Sequence, residues 1–147
     1  MKFLGMTSLM LCMFCTVSGQ ENSVEKLIIK AGMDYIEGFY EGDTAKLIGC
    51  LKPTLYKFGY WQNKTTLAYE PDGFMTYRQA IDFAKRVAEK QRFAKADSPK
   101  KIEVLDILST IAAIKVTAYW GYDYILLAKQ GDKWMIEQVL WQGPLAK

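Results

Sequence analysis

The last third of the chain constrains its fold most. Four β-prone runs, at residues 101–108, 111–120, 122–129 and 133–142, follow one another with only Ser109-Thr110, Gly121 and Gln130-Gly131-Asp132 between them. Gaps this short join neighbouring antiparallel strands and leave no room for crossover helices. The alternation of apolar and polar residues within the runs is imperfect, as expected where parts of both sheet faces are covered. Something ahead of residue 100 has to supply that cover.

The residues ahead of it read as helices. Asn22 with Glu25 three positions on forms a capping box, and Val24, Leu27, Ile28, Ala31, Tyr35, Ile36 and Phe39 follow at helical spacing. Gly42 stops this helix, and Asp43 caps a short second one carrying Ala45, Leu47, Ile48 and Leu51 before Pro53. Residues 54–69 are aromatic and β-prone and predict a strand or hairpin whose register the sequence leaves open. Pro71-Asp72-Gly73 predicts a turn. Thr76 with Gln79 is a second capping box, opening a third helix with Tyr77, Ala80, Ile81, Ala84, Val87 and Ala88 on one side. Helices first and a meander last is an α+β order: three N-terminal helices packed in a curved antiparallel sheet, a cone that leaves a cavity at one end.

The first residues are of another kind. One lysine, Lys2, precedes an apolar run from Phe3 to Phe14, and Val17 and Gly19 are small residues ahead of the polar Gln20-Glu21-Asn22. This is the pattern of a secretory signal over 1–19, cut before Gln20, leaving one domain over 20–147 that is secreted or periplasmic. The run is shorter than the roughly 20 residues a membrane-spanning helix needs, so stable insertion is not expected, with an uncleaved anchor as the alternative.

Composition then excludes several classes of function. The net charge is +3, and the basic residues Lys85, Arg86, Lys90, Arg92 and Lys95 alternate with Asp82, Glu89 and Asp97, so a solvated helix face is expected rather than a nucleic-acid site. There is no histidine. Cys12 and Cys15 fall in the signal, so Cys50 alone remains, no internal disulfide can form, and stability must come from packing. Cys50 sits in an apolar helix pattern and reads as a core residue. No metal is expected, since only carboxylates remain as ligands and none has calcium-loop spacing. Asn63-Lys64-Thr65 reads as a polar loop, and nothing points to a cofactor.

Two stretches carry a family resemblance. Residues 35–43, Tyr-Ile-Glu-Gly-Phe-Tyr-Glu-Gly-Asp, resemble the helix, Gly-Asp break and second helix of nuclear-transport-factor-2-like proteins. Residues 122–127 followed by Gly131-Asp132-Lys133-Trp134-Met135-Ile136 resemble their last hairpin, in which a Gly-x-x-Trp turn enters the final strand. The similarity is nearest to the branch called putative lumazine-binding and covers nearly all of residues 22–142. It implies the cone fold, a homodimer through the outer sheet face, and no particular ligand, because one scaffold carries many activities.

Ketosteroid-isomerase-like members of this superfamily use a Tyr and a protonated Asp as oxyanion donors with a carboxylate base; their protonated Asp is a standard illustration of a carboxylic acid kept neutral by an apolar site. By the same offsets, eight residues before Asp43 and before Gly131, the resemblance implies Tyr35 and Asp123 for the donor roles. The base should fall just after the second helix, where Tyr56, Lys57, Phe58 and Gly59 offer no carboxylate. Without it proton abstraction loses about 10² to 10⁴ in rate, so the expectation leans away from an enzyme. The expected function is binding of a small, partly apolar or aromatic ligand in a pocket lined by Tyr35, Phe39, Tyr56, Phe58, Trp61, Tyr77, Trp120, Asp123 and Trp134. One alternative is an isomerase or cyclase using Tyr35 and Asp123 with a base from Asp34 or Glu137; the other is a dimeric interaction or accessory module.

Overall fold

The computed structural model describes residues 18–145, with side chains from Ser23 onward. The expected signal segment, 1–19, lies outside the described residues except for the helical backbone of its last two positions. In chain order the elements are α1 (Ser18–Glu41), α2 (Thr44–Cys50), β1 (Leu51–Gln62), β2 (Tyr69–Met75), α3 (Tyr77–Glu89), β3 (Lys101–Ile107), β4 (Ile111–Ala118), β5 (Gly121–Gln130) and β6 (Lys133–Gly143). The six strands form one curved, unclosed sheet in the order β2-β1-β6-β5-β4-β3. The last four are the expected antiparallel meander. β1 joins it at the far side, parallel to β6, and β2 is the edge, antiparallel to β1.

The helices lie in the hollow of this sheet. α1 buries Ile28, Ala31, Tyr35, Ile36, Phe39 and Tyr40, a stripe at three- and four-residue spacing, against β3, β4 and β6. Opposite it, alternate residues of β4, β5 and β6 point inward: Ala112, Ile114, Val116, Ala118; Ile125, Leu127; Ile136, Val139. Cys50 joins this core, and its burial pushes the thiol pKa up to about 12, which makes it inert. Leu27 and Ile48, at helical spacing in the sequence, sit on the outer sides of their helices and are about half exposed.

Two local expectations hold in detail. Asp43 caps α2, accepting from the Ala45 and Lys46 amides at 2.9 and 3.1 Å, and Thr76 and Gln79 close the capping box of α3. Three do not. α1 already runs through Asn22 from Ser18, so Asn22 is not its cap; flanking residues that continue the helix override a local capping signal. Pro71-Asp72-Gly73 is not a turn but part of β2, paired with Tyr60 and Gly59 of β1; an edge strand tolerates a proline because its missing N–H costs no ladder bond on the open side. The reversal lies earlier, at residues 63–68, where Asn63 Oδ1 accepts from the Thr65 and Thr66 amides. The β4–β5 turn is Tyr119-Trp120, and Gly121 starts β5 at φ +141°, where a Cβ would stand 2.0 Å from the Gln142 carbonyl oxygen.

Candidate functional site

Strand register decides which side chains of β1 face the helices. Leu55, Lys57 and Gly59 are buried, while Tyr56 and Tyr60 are exposed, so β1 sends a lysine into the interior. A bulge against β2 lies between Lys57 and Gly59, the kind of irregularity that re-aims a side chain. Across the sheet, Gly59 pairs with Trp141 of β6, and Trp141 pairs with Asp123 of β5. A Cβ on Gly59 would stand 2.4 Å from the Trp141 indole, so the bare glycine is what lets that ring fold over β1 beside Lys57.

These residues build a buried polar chain. Lys57 Nζ donates to the Tyr35 hydroxyl at 2.7 Å, and that hydroxyl donates to Asp123 Oδ2 at 2.7 Å. The second carboxylate oxygen, Oδ1, accepts from Trp120 Nε1 at 2.9 Å, and Lys57 Nζ stands 3.8 Å from Oδ2. Tyr35 and Asp123 are fully buried, and Lys57 is only 7% exposed. Three rings lie near the lysine nitrogen, those of Tyr35, Trp141 and Trp120, with centroids 5.4, 5.5 and 6.0 Å away. Burial holds the Lys57 pKa below the ordinary lysine value, with the Asp123 charge opposing the shift. Burial first, and then the charge of Asp123 and the hydrogen bond to it, push the Tyr35 phenol well above its usual value.

Lys57 is also the floor of a pocket of about 190 Å³, walled by Phe39, Met75, Phe83, Tyr119, Trp120 and Trp141. The aromatic walls meet edge to face: Phe39 with Phe83 and Trp120, at 5.7 and 5.8 Å between centroids. Larger grooves exist elsewhere. One of about 530 Å³ between α1, α2 and the β5–β6 turn includes Lys30, Asp34 and Trp134, and none of the four chain members lines it. Size alone therefore points to a different groove; a buried amine beside an aromatic hollow is the chemically distinctive feature.

Of the nine residues expected to line a pocket, Phe39 and Trp120 line this one, and Tyr35 and Asp123 lie behind its floor, reached through Lys57. Trp61 is at the sheet's end, 6.1 Å from Trp141, and 37% exposed. The other four lie away from it. Tyr56 packs against Phe74 and Phe58 meets Tyr60 edge to face, Tyr56 and Phe58 both lying on the outer sheet face because their register parity is opposite to that of Lys57. Tyr77 packs at the start of α3, and Trp134 is buried beside the other groove. The two substitute bases are also elsewhere: Asp34 pairs with Lys30, and Glu137 with Lys52. Lys57 itself was passed over as an absent carboxylate, and the small residue two positions on, Gly59, was the available sign that this strand face makes room for something.

Tyr35 and Asp123 meet as a pair, but their hydrogen bonds point at each other, at Lys57 and at Trp120, and no donor of theirs is aimed into the pocket. Of this network, Lys57 and the Trp120 ring line the pocket, and the Lys57 nitrogen stands 6.0 and 5.5 Å from the ring centroids of two of its walls, Trp120 and Trp141. Among the described residues no cluster of His, Cys, Asp or Glu has the form of a metal site, and no helix is long and apolar enough to cross a membrane.

The family model described as putative lumazine-binding matches residues 23–142. Solved structures with the same fold include a nuclear-transport-factor-2-like protein of unknown function from Silicibacter pomeroyi, 16% identical, covering 86% of this chain and 98% of that one at a TM-score of 0.59. A second, from Shewanella baltica, is 15% identical over 86% and 95% of the two chains at 0.57. A third, from Methylobacillus flagellatus, is 16% identical over 86% and 94% at 0.55. A comparison with curated proteins gives no match.

Proposed function

This chain belongs to the putative lumazine-binding family of the nuclear-transport-factor-2-like fold, and we propose that it is an exported domain that binds a flat, partly apolar small molecule over Lys57. The observation that carries this is a lysine amine buried at the base of an aromatic hollow. Taking such a group out of water is costly, and a chain gains nothing in stability from placing it there when an apolar residue would pack as well. Flat ligands are held between the Phe39, Phe83, Trp120 and Trp141 rings, and the Lys57 N–H groups not used by Tyr35 serve an acceptor on the ligand. A carbonyl or carboxylate oxygen suits that donor, and the ring carbonyls of a lumazine are one example of the class.

Export rests on the signal pattern over 1–19. Homodimerisation rests on the outer sheet face, where Tyr60, Tyr124, Leu126 and Leu140 are all at least a third exposed on neighbouring strands. The ligand site faces the helices, on the other side of the sheet, so the two surfaces do not compete.

Native mass spectrometry of the domain purified from its own host, before and after mild denaturation, tests the binding and the assembly together. A dimer carrying a reproducible small mass that is released on unfolding is the expected result, with an N-terminus at Gln20. A protein that carries no small molecule, and whose tryptophan emission does not respond to lumazine or to simple aromatic carbonyl compounds, overturns the binding proposal.

A further inference from the structure

We infer that Lys57 captures its ligand covalently, its amine condensing with the carbonyl carbon of an aldehyde or reactive ketone held against Trp120 and Trp141. The inference rests on the small-molecule reading of this pocket and names the ligand's reactive group.

Geometry makes the amine available. The two bonds Lys57 Nζ to Tyr35 hydroxyl and Tyr35 hydroxyl to Asp123 Oδ2, both 2.7 Å, run head to tail. Moving one proton along each turns an ammonium beside a carboxylate into an amine beside a carboxylic acid, with no change in net charge. In a site walled by rings, losing both charges offsets a desolvation cost that the ion pair has to carry. The titratable groups that face Lys57 are Tyr35 from α1 and Asp123 from β5, with Tyr119 from the β4–β5 turn in the pocket wall. Burial lowers the lysine pKa in the same direction. The other nucleophile in the core, Cys50, lines the separate groove beside α2.

The chemistry balances without any co-reactant. The nitrogen lone pair forms a bond to the carbonyl carbon, and the C=O π pair moves to oxygen, which takes the proton held on Asp123 through Tyr35. Asp123 recovers a proton from the nitrogen. Returning that proton to the carbinolamine hydroxyl breaks the C–O bond, releases water and leaves an iminium beside the Asp123 carboxylate. An ammonium–carboxylate pair has then become an iminium–carboxylate pair, in the same place. A cavity of about 150 Å³ suffices for benzene, so about 190 Å³ admits a single-ring aldehyde.

The test treats the whole protein at neutral pH with benzaldehyde and sodium cyanoborohydride, which fixes an imine as a stable benzyl-amine, and maps the modified lysines by mass spectrometry. Because the pocket holds the aldehyde against an amine that burial keeps less protonated, Lys57 is expected to be labelled at least about tenfold faster than exposed Lys64 or Lys101. Excess benzyl alcohol, which fits the pocket without a carbonyl, should protect Lys57 and not the others. Labelling of Lys57 no faster than of exposed lysines overturns the inference. If benzyl alcohol still quenches tryptophan emission in that case, ligand binding stands and only covalent capture falls; if it does not, both fall for single-ring ligands.

Discussion

The Tyr35 hydroxyl lies 2.7 Å from Asp123 Oδ2, joining the C-terminal half of α1 to the start of β5 across 88 positions of chain. The bond fixes how the helix sits in the sheet, and it also supplies the counter-charge for Lys57. Asp123→Asn keeps the shape and removes that charge, leaving a buried cation without compensation. A loss of about 3–5 kcal/mol is expected from urea unfolding at pH 7. In a Lys57→Met background the same change should cost only about 1–2 kcal/mol, the share of the hydrogen bonds from Tyr35 and Trp120. Equal costs in the two backgrounds would show that the lysine and the carboxylate are not coupled.

Lys57→Met tests why the lysine is there. The pKa of Lys57 is lowered in the folded protein, so at pH 7 the folded state resists a proton that the unfolded state holds freely. Methionine fills a similar volume and removes that cost, at the loss of one hydrogen bond to Tyr35. The Asp123 carboxylate then loses its cation but keeps the two bonds it accepts from Tyr35 and Trp120, whereas the ammonium left by Asp123→Asn keeps only its bond to Tyr35. Unfolding stability is expected to stay level or to rise by about 1 kcal/mol, while affinity for a carbonyl-bearing aromatic falls at least about tenfold, as loss of a hydrogen bond to a charged group implies. A drop in stability of several kcal/mol would mean that the lysine is structural.

Alkaline titration separates the two buried groups by sign. Lys57 has its pKa lowered on folding, so between its folded value and about 10.4 the unfolded state binds more protons and stability rises with pH. Tyr35 has its pKa raised, so its stabilising contribution is intact below about pH 10 and is lost as the pH climbs from there towards its folded value. The wild-type urea midpoint should therefore rise towards pH 10 and then fall. Tyr35→Phe removes its own share of the fall, up to about 1.4 kcal/mol per pH unit; the phenols of Tyr40 and Tyr119, also raised by burial, keep part of it. An unchanged alkaline limb in Tyr35→Phe would exclude Tyr35 as its cause.

Much of the architecture was legible because it is written locally. Asp43, the Thr76–Gln79 pair and the breaks after the first and third of the last four runs each set the backbone within a few residues, and the structure uses them as expected. The parallel pairing of β1 with β6 was not legible, since it joins residues about 80 positions apart and no turn chemistry marks it. The site divides in the same way. Tyr35 and Asp123 were found by their offsets from two glycine-aspartate breaks. The pocket floor was missed because it depends on the register of β1, where a shift of one residue exchanges Tyr56 and Phe58 for Lys57. Aromatic content pointed to the former pair, and pairing with β6 selected the latter.

The outer face of the sheet carries the last prediction. Phe58 of β1 pairs with Leu140 of β6, and Leu140 with Tyr124 of β5, so the three side chains form a row across the centre of the sheet. Leu140 and Tyr124 are 50% and 55% exposed, and Leu126 on the same strand face is 49% exposed. A row like this, several strands wide, is suited to a two-fold contact in which the same patch meets itself. Stable interfaces bury about 1,600 Å² in all, and a charge placed at the centre meets its own symmetry mate. Leu140→Glu should therefore convert a dimer to a monomer in light scattering behind size exclusion, at concentrations of tens of micromolar typical of such work. Because Leu140 points away from Lys57, the folded monomer should keep its ligand affinity. A wild-type protein that is monomeric under those conditions would sink the dimer, and a Leu140→Glu dimer would move the interface off this row.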